Sequence, residues 1–200
     1  RRHSMCGRYH IDDNGIEEIR RIVKILEEKL KTQKGRDIYP SQEAPVILSN
    51  SQGELEAKAL FWGFPSPAGK GLLINARAET ALNRPLFSDS ARYRRCIIPA
   101  RWFYEWTPQK EKTQFRREDF SLLYLAGLYR CFSEGIRFTI LTTQANASTV
   151  SVHPRMPLIL EEEEIWDWIL DGAQTEAFLK KEPAPLILEQ EYSQQSLVFS

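Results

Sequence analysis

The sequence predicts an α+β fold: a single domain with a curled, barrel-like core of mixed or antiparallel β-sheet and a few flanking helices. Three observations lead there. The 200 residues suit one domain and suffice to fold without disulfides or metal. One long stretch has apolar residues at helical spacing. The rest breaks into short runs rich in Ile, Leu, Phe and Tyr, separated by Pro, Gly and polar clusters.

The elements follow in order. Arg1–Ser4 precede a Met-Cys-Gly and read as the remnant of an expression tag, which leaves 5–200 as the domain. Removal of Met5 before the small Cys6 would make Cys6 the first residue. Ile16, Ile19, Ile22, Val23, Leu26 and Leu30 predict an amphipathic helix from Ile16 to Leu30, capped by Asp12, Asp13 or Asn14 and followed by Gly35. Strands are predicted at Ala44–Ser49, Leu55–Trp62, Cys96–Pro99, Phe103–Thr107, Phe120–Tyr129 and Phe138–Thr143. The charged stretch Gln109–Asp119 reads as a hairpin tip. Glu161–Leu170 reads as a helix whose acidic first turns suit the macrodipole, with a second short helix at Thr175–Lys180.

Composition removes several function classes. Lys plus Arg number 27 and Asp plus Glu 27, so the formal net charge is zero. A body that coats nucleic acid by bulk charge is excluded, although a local basic groove is not. No apolar run is long enough to span a bilayer as a helix, and the N-terminus has no apolar signal segment, so a cytoplasmic location is expected. Cys6, Cys96 and Cys131 form no CxxC motif, and the histidines are His3, His10 and His153. No metal or cofactor is expected, and the thiols should be free.

Four segments place polar residues where a plain core would not. They are Met5-Cys6-Gly7-Arg8-Tyr9, Asn75-Ala76-Arg77-Ala78-Glu79-Thr80, Arg95 to Trp106, and His153-Pro154-Arg155-Met156-Pro157. Asn75 and Arg77 alternate, so on a strand they face one side, with Glu79 continuing the row. An Asn and an Arg together suit a phosphate or carboxylate; a solvated edge explains them equally well. Glu105 lies between Tyr104 and Trp106 in an otherwise aromatic strand. It is either an edge carboxylate paired with an arginine, or a desolvated acid prepared for proton transfer. His153 alone reads as a surface or satisfied core histidine.

Taken together, these segments resemble the SRAP (SOS-response-associated peptidase) family, from Met5 to about Leu170. Supporting matches are Tyr39-Pro40-Ser41, Phe61-Trp62-Gly63, Ala126-Gly127-Leu128-Tyr129 and Phe138 to Asn146. The resemblance implies recognition of abasic sites in single-stranded DNA and a covalent DNA–protein crosslink to them. It implies Cys6 as the crosslinking residue after loss of Met5, with Asn75, Glu105 and His153 as active-site residues. It also implies Arg8, Trp62, Arg77 and Arg155 as residues that bind DNA near the lesion. Trp62 and Trp106 offer faces on which bases can stack. A monomer is expected, nucleoid-associated when on DNA.

Two other readings stay open. In a cysteine peptidase, whether general or confined to self-processing, Cys6 would be the nucleophile, His153 the base and Asn75 or Glu105 the orienting group. In a non-catalytic reader of single-stranded or modified DNA, Arg77, Arg155 and the tryptophans would do all the work. The sequence departs from the family pattern at Arg101-Trp102, which suggests an altered site wall or an added DNA contact. It departs also at Arg130 and after about Lys181, where no functional residue is expected.

Overall fold

The computed structural model describes residues 7–190. The chain starts with β1 (Tyr9–Ile11) and α1 (Asp13–Ile22), followed by β2 (Ile25–Leu26), α2 (Glu28–Lys31) and β3 (Arg36–Ile38). Two long strands, β4 (Glu43–Ser49) and β5 (Leu55–Trp62), precede the short β6 (Phe64–Pro65), β7 (Leu72–Leu73) and β8 (Asn75–Arg77). Helices α3 (Ala78–Ala81) and α4 (Ser88–Tyr93) lead into β9 (Arg95–Ala100), β10 (Trp102–Trp106) and β11 (Lys112–Arg116). The hairpin of β12 (Leu123–Phe132) and β13 (Gly135–Gln144) is followed by β14 (Arg155–Pro157) and β15 (Ile159–Leu160). Helices α5 (Ile165–Leu170) and α6 (Thr175–Leu179) and strand β16 (Ile187–Gln190) complete the described chain.

The larger sheet closes on itself. Its order runs β13, β12, β9, β4, β5, and β5 returns to β13 through Arg137↔Phe61 and Phe138↔Trp62. The result is a five-stranded barrel, antiparallel except at the β5–β13 seam, which is parallel. So tight a barrel needs close backbone contact at Gly127. A Cβ there would lie 2.8 Å from the Thr139 carbonyl oxygen and 2.3 Å from Ile98 Cδ1. Ile47, Ile97, Leu125, Phe138 and Trp62 are fully buried members of one continuous core. The second sheet, ordered β16-β11-β10-β1-β3, carries the N-terminal strand.

The expected helix over 16–30 is shorter than its periodicity suggests. Asp12 caps α1, its carboxylate accepting from Gly15 N at 2.8 Å. The chain then leaves the helix at Val23, and Lys24 N donates to Leu55 O and Glu27 N to Ala57 O, both at 3.0 Å. The Ile22-Val23-Lys24-Ile25-Leu26 run is rich in β-branched residues, and the open edge of β5 supplies backbone partners. The tertiary contact overrides the helical pattern. The charged 109–119 stretch is likewise only partly a tip: the turn ends by Glu111, and β11 pairs with β10 from Lys112 to Phe115.

Two buried arginines belong to the scaffold. Arg95 donates to Trp168 O (2.5 Å), Ile169 O (3.3 Å) and Ala91 O (3.2 Å), placing positive charge on the carbonyl ends of α5 and α4. Arg101 donates from Nε to Asp12 (2.9 Å) and from Nη2 to Asp12 (3.0 Å) and Glu18 (2.6 Å), tying α1 to β9 and β10. Its side chain is 6% exposed. Of the two readings of Arg101-Trp102, an altered site wall or an added DNA contact, the second does not fit Arg101, whose guanidinium is a buried clamp.

This clamp has a pH signature. Burial opposes the charge of Asp12, but hydrogen bonds from Arg101 and Gly15 N outweigh it and hold its pKa below the usual range. A lowered folded pKa contributes stability that is complete above the unfolded value of about 3.9 and is lost as pH falls through the folded value. Asp12→Asn keeps a good helix cap but loses the charge. Urea titrations should show wild type more stable than Asp12→Asn at neutral pH, with the difference closing in acid.

Candidate functional site

The site grows from the N-terminal strand. β1 pairs with β10 through Tyr9↔Phe103, and Tyr104 N donates to Arg8 O at 3.0 Å. Arg8 is thus bound to the strand that carries Glu105. Glu105 is buried, at 5% exposed, in register with Thr113 of β11. Cys6, like Met5, lies outside the described residues.

A network fixes this strand. Asp37 of β3 accepts from Arg8 Nε at 2.8 Å and also from its Nη2, and pairs with His10 Nδ1 at 2.7 Å. Tyr104 donates its hydroxyl to Asp37 at 3.3 Å and accepts from Trp102 Nε1 at 2.7 Å. The His10 and Trp102 rings stack at 4.2 Å, and the Arg8 guanidinium lies over the rings of Tyr104 and Tyr39. Burial opposes the Asp37 charge, yet the bonds from Arg8 and His10 prevail and lower its pKa. Arg8, expected at the DNA, is already partnered within the protein. No motif around Asp37 marks it out; its role emerges only when β3 pairs with β1.

Trp62 needs correcting as a base-stacking face. It is fully buried: its ring packs on Tyr9 (centroids 5.2 Å apart) and parallel to Phe138 (6.2 Å), and its Nε1 donates to Ile74 O at 3.0 Å. It therefore ties β1 to the residue before Asn75. A tryptophan that ends a strand at the barrel seam meets protein on both faces, which the Phe-Trp-Gly motif alone does not reveal. Trp106, by contrast, is 37% exposed at the end of β10.

β13 joins the remaining segments. On one side β8 runs parallel to it, with Asn75 level with Ile140 and Arg77 with Thr142. On the other, β14 runs antiparallel, with Arg155 level with Gln144. The row Asn75, Arg77, Glu79 ends after Arg77, because the chain turns into α3 at Ala78. Glu79 points instead to Arg155, with which it forms a two-pronged ion pair. Hydrogen bonds from Arg155, working against burial, lower the Glu79 pKa. Arg77 is exposed. His153 Nδ1 accepts from Arg155 N at 3.0 Å and lies 3.2 Å from Arg155 O, so it has a backbone partner whether bare or protonated, and Nε2 is left for other work. That backbone occupies the nitrogen that a Cys–His–Asn arrangement would give to Asn75 or Glu105.

The four segments read from the sequence are thus linked: Glu105 to β1 by backbone pairing, β1 to β8 through Trp62, and β8 to His153 and Arg155 through β13. Cys96 is buried, and burial alone pushes its thiol pKa up; Cys131 is exposed. Among the described residues no cluster of three or more His, Cys, Asp or Glu side chains is arranged to hold a metal, and no helix is long and apolar enough to cross a membrane.

A family model for SOS response associated peptidases matches residues 5–197. The chain belongs to the SRAP family. Among SRAP relatives, the Bacillus subtilis abasic site processing protein YoaM is 32% identical over 182 residues, covering 82% of this chain and 79% of its own. The Bacillus phage SPbeta abasic site processing protein YoqW is 34% identical over 182 residues, covering 82% and 80%. A crystal structure of a protein from Bordetella bronchiseptica matches with a TM-score of 0.77 at 25% identity, over 93% of this chain and 99% of that one. The closed barrel and its flanking helices are the SRAP architecture.

Proposed function

We propose that this SRAP protein processes abasic sites by binding single-stranded DNA and capturing the lesion covalently through Cys6, after removal of Met5. The observation that supports the reading is the linkage of Arg8 and β1 to the Glu105 strand β10, and of β1 through Trp62 to Ile74, the residue before Asn75. The relatives' names support the lesion as the target.

The chemistry follows from a terminal amino-thiol. The ring-opened abasic sugar presents an aldehyde. A terminal amine with pKa about 8 is roughly one-tenth neutral at pH 7, whereas a lysine near 10.4 is almost wholly protonated. The Cys6 nitrogen attacks the aldehyde carbon and water leaves, giving an imine. The Cys6 sulfur then adds to the imine carbon, the nitrogen takes the proton, and a five-membered thiazolidine closes without any change of oxidation state. One residue holds both nucleophiles, which supplies the proximity term. Glu105 orients the amine and moves its protons. His153, through Nε2, serves the sugar oxygen during ring opening. Asn75 holds the sugar or the chain terminus, and Arg77 and Arg155 meet flanking phosphates. The protein acts as a monomer.

A denaturing gel tests this. Protein that begins at Cys6, mixed with an abasic single strand, should give a slower band that survives heating. Reversible binding alone would favour the non-catalytic reader. Glu105→Gln should slow formation of the band at least tenfold with little change in DNA affinity, in keeping with a proton-transfer role. An unchanged rate would remove that role.

A further inference from the structure

The Arg155 guanidinium is already engaged. Nη1 donates to Glu79 Oε1 at 2.5 Å and Nη2 to Glu79 Oε2 at 2.9 Å; Nη2 also donates to Thr142 O at 2.6 Å and lies 3.2 Å from Thr142 Oγ1. Nε is buried with no partner among the described residues. Of the five N–H groups, Glu79 takes one from each terminal nitrogen, side by side. That parallel fork is also the one a phosphate would use. A phosphate that used this fork would have to displace Glu79.

The two partners differ in freedom. The Arg155 side chain is 17% exposed and anchored to β13 through Thr142, whereas the Glu79 side chain is 41% exposed in the first turn of α3. A displaced Glu79 carboxylate would therefore lie close to solvent, while Arg155 would keep its bond to Thr142. Arg77 is level with the same Thr142 and is exposed, so a strand that approaches Arg77 reaches this pair next.

We propose that Glu79 is a specificity-determining residue that competes with DNA phosphates for Arg155. The proposal rests on the single-strand reading above. On intact DNA, the exchange of carboxylate for phosphate returns little, because one ion pair is broken to make another and a negative charge stays beside the backbone. At an abasic site, covalent capture makes up the difference. Glu79 thereby limits occupancy of undamaged strands without barring the lesion.

The test compares wild type with Glu79→Gln, which keeps the side chain's size, on an undamaged single-stranded oligonucleotide by fluorescence anisotropy across a salt series. Thermal melting checks that the variant is folded, and Glu79→Ala provides a second variant. Glu79→Gln should bind severalfold more tightly, and its log K against log salt should steepen by about 0.7, the contribution of one further phosphate on a single strand. Adding Arg155→Gln should abolish both gains. Equal affinity and slope in wild type and both Glu79 variants would overturn the proposal while leaving the DNA reading intact. Weaker binding by those variants would also overturn it, since Glu79 would then be presenting Arg155 rather than occupying it. Absence of binding by every protein, at the lowest salt, would overturn the single-strand reading itself.

Discussion

Cys6→Ser, in protein that begins at residue 6, is expected to bind abasic single-stranded DNA about as tightly as wild type yet to leave no adduct after heating. The two side chains differ by one atom, and both chains carry the same terminal amine. Imine formation needs only that amine, so it persists in the variant. Ring closure is where they part. A thiol of pKa about 8.5 is a few per cent thiolate at neutral pH and strongly nucleophilic, whereas a hydroxyl is neither. The serine imine therefore stays open to water and hydrolyses during denaturation. Reduction with borohydride before heating should trap it, so the variant yields a band with borohydride and none without. A heat-stable band from unreduced Cys6→Ser would show that the sulfur is dispensable. A chain that still carries residues 1–5 has an amide at the Cys6 nitrogen and should yield neither band.

How far this site could be read beforehand depended on what each residue answers to. Asn75 and Arg77 alternate within a short motif, and β8 is a strand, the condition under which that alternation puts them on one side. Glu105 betrayed itself as an acid among aromatics, and it is buried. The strands from 43 to 62 and from 95 to 106 follow their apolar runs closely, because each is bounded by Pro, Gly or polar residues. The failures share a cause in long-range pairing. Trp62 looked like an exposed platform because nothing in Phe61-Trp62-Gly63 says that Tyr9 and Phe138 will cover it. The helix over 16–30 was cut short by a strand edge some thirty residues away. The Arg155–Glu79 pair joins residues 76 positions apart, so no local pattern announces it. Even the parallel seam that closes the barrel, β5 against β13, is invisible to periodicity, since an apolar run fits either direction of pairing.

The largest loss of stability is expected from Arg101→Leu. The leucine fills part of the same volume but leaves Asp12, Glu18 and the Phe120 carbonyl without the guanidinium that satisfied them. Removing one partner from a buried charge cluster costs about 3–5 kcal/mol, and the two carboxylates, each roughly 30% exposed, place this case near the lower end, at about 3 kcal/mol. For a chain of this size that is a fall of roughly 6–12 °C in the melting temperature. The source of the loss can be separated from mere packing. If orphaned charge is responsible, adding Asp12→Asn and Glu18→Gln to Arg101→Leu should restore part of the stability, a non-additivity that independent sites would not show. The consequence reaches function, because Arg101 N donates to His10 O at 2.7 Å and His10 is held by Asp37 in the network that fixes Arg8 and β1. Loosening α1 against β9 and β10 should therefore slow crosslinking even at temperatures where Arg101→Leu is folded. A variant that melts early but crosslinks at the wild-type rate in the cold would confine Arg101 to stability alone.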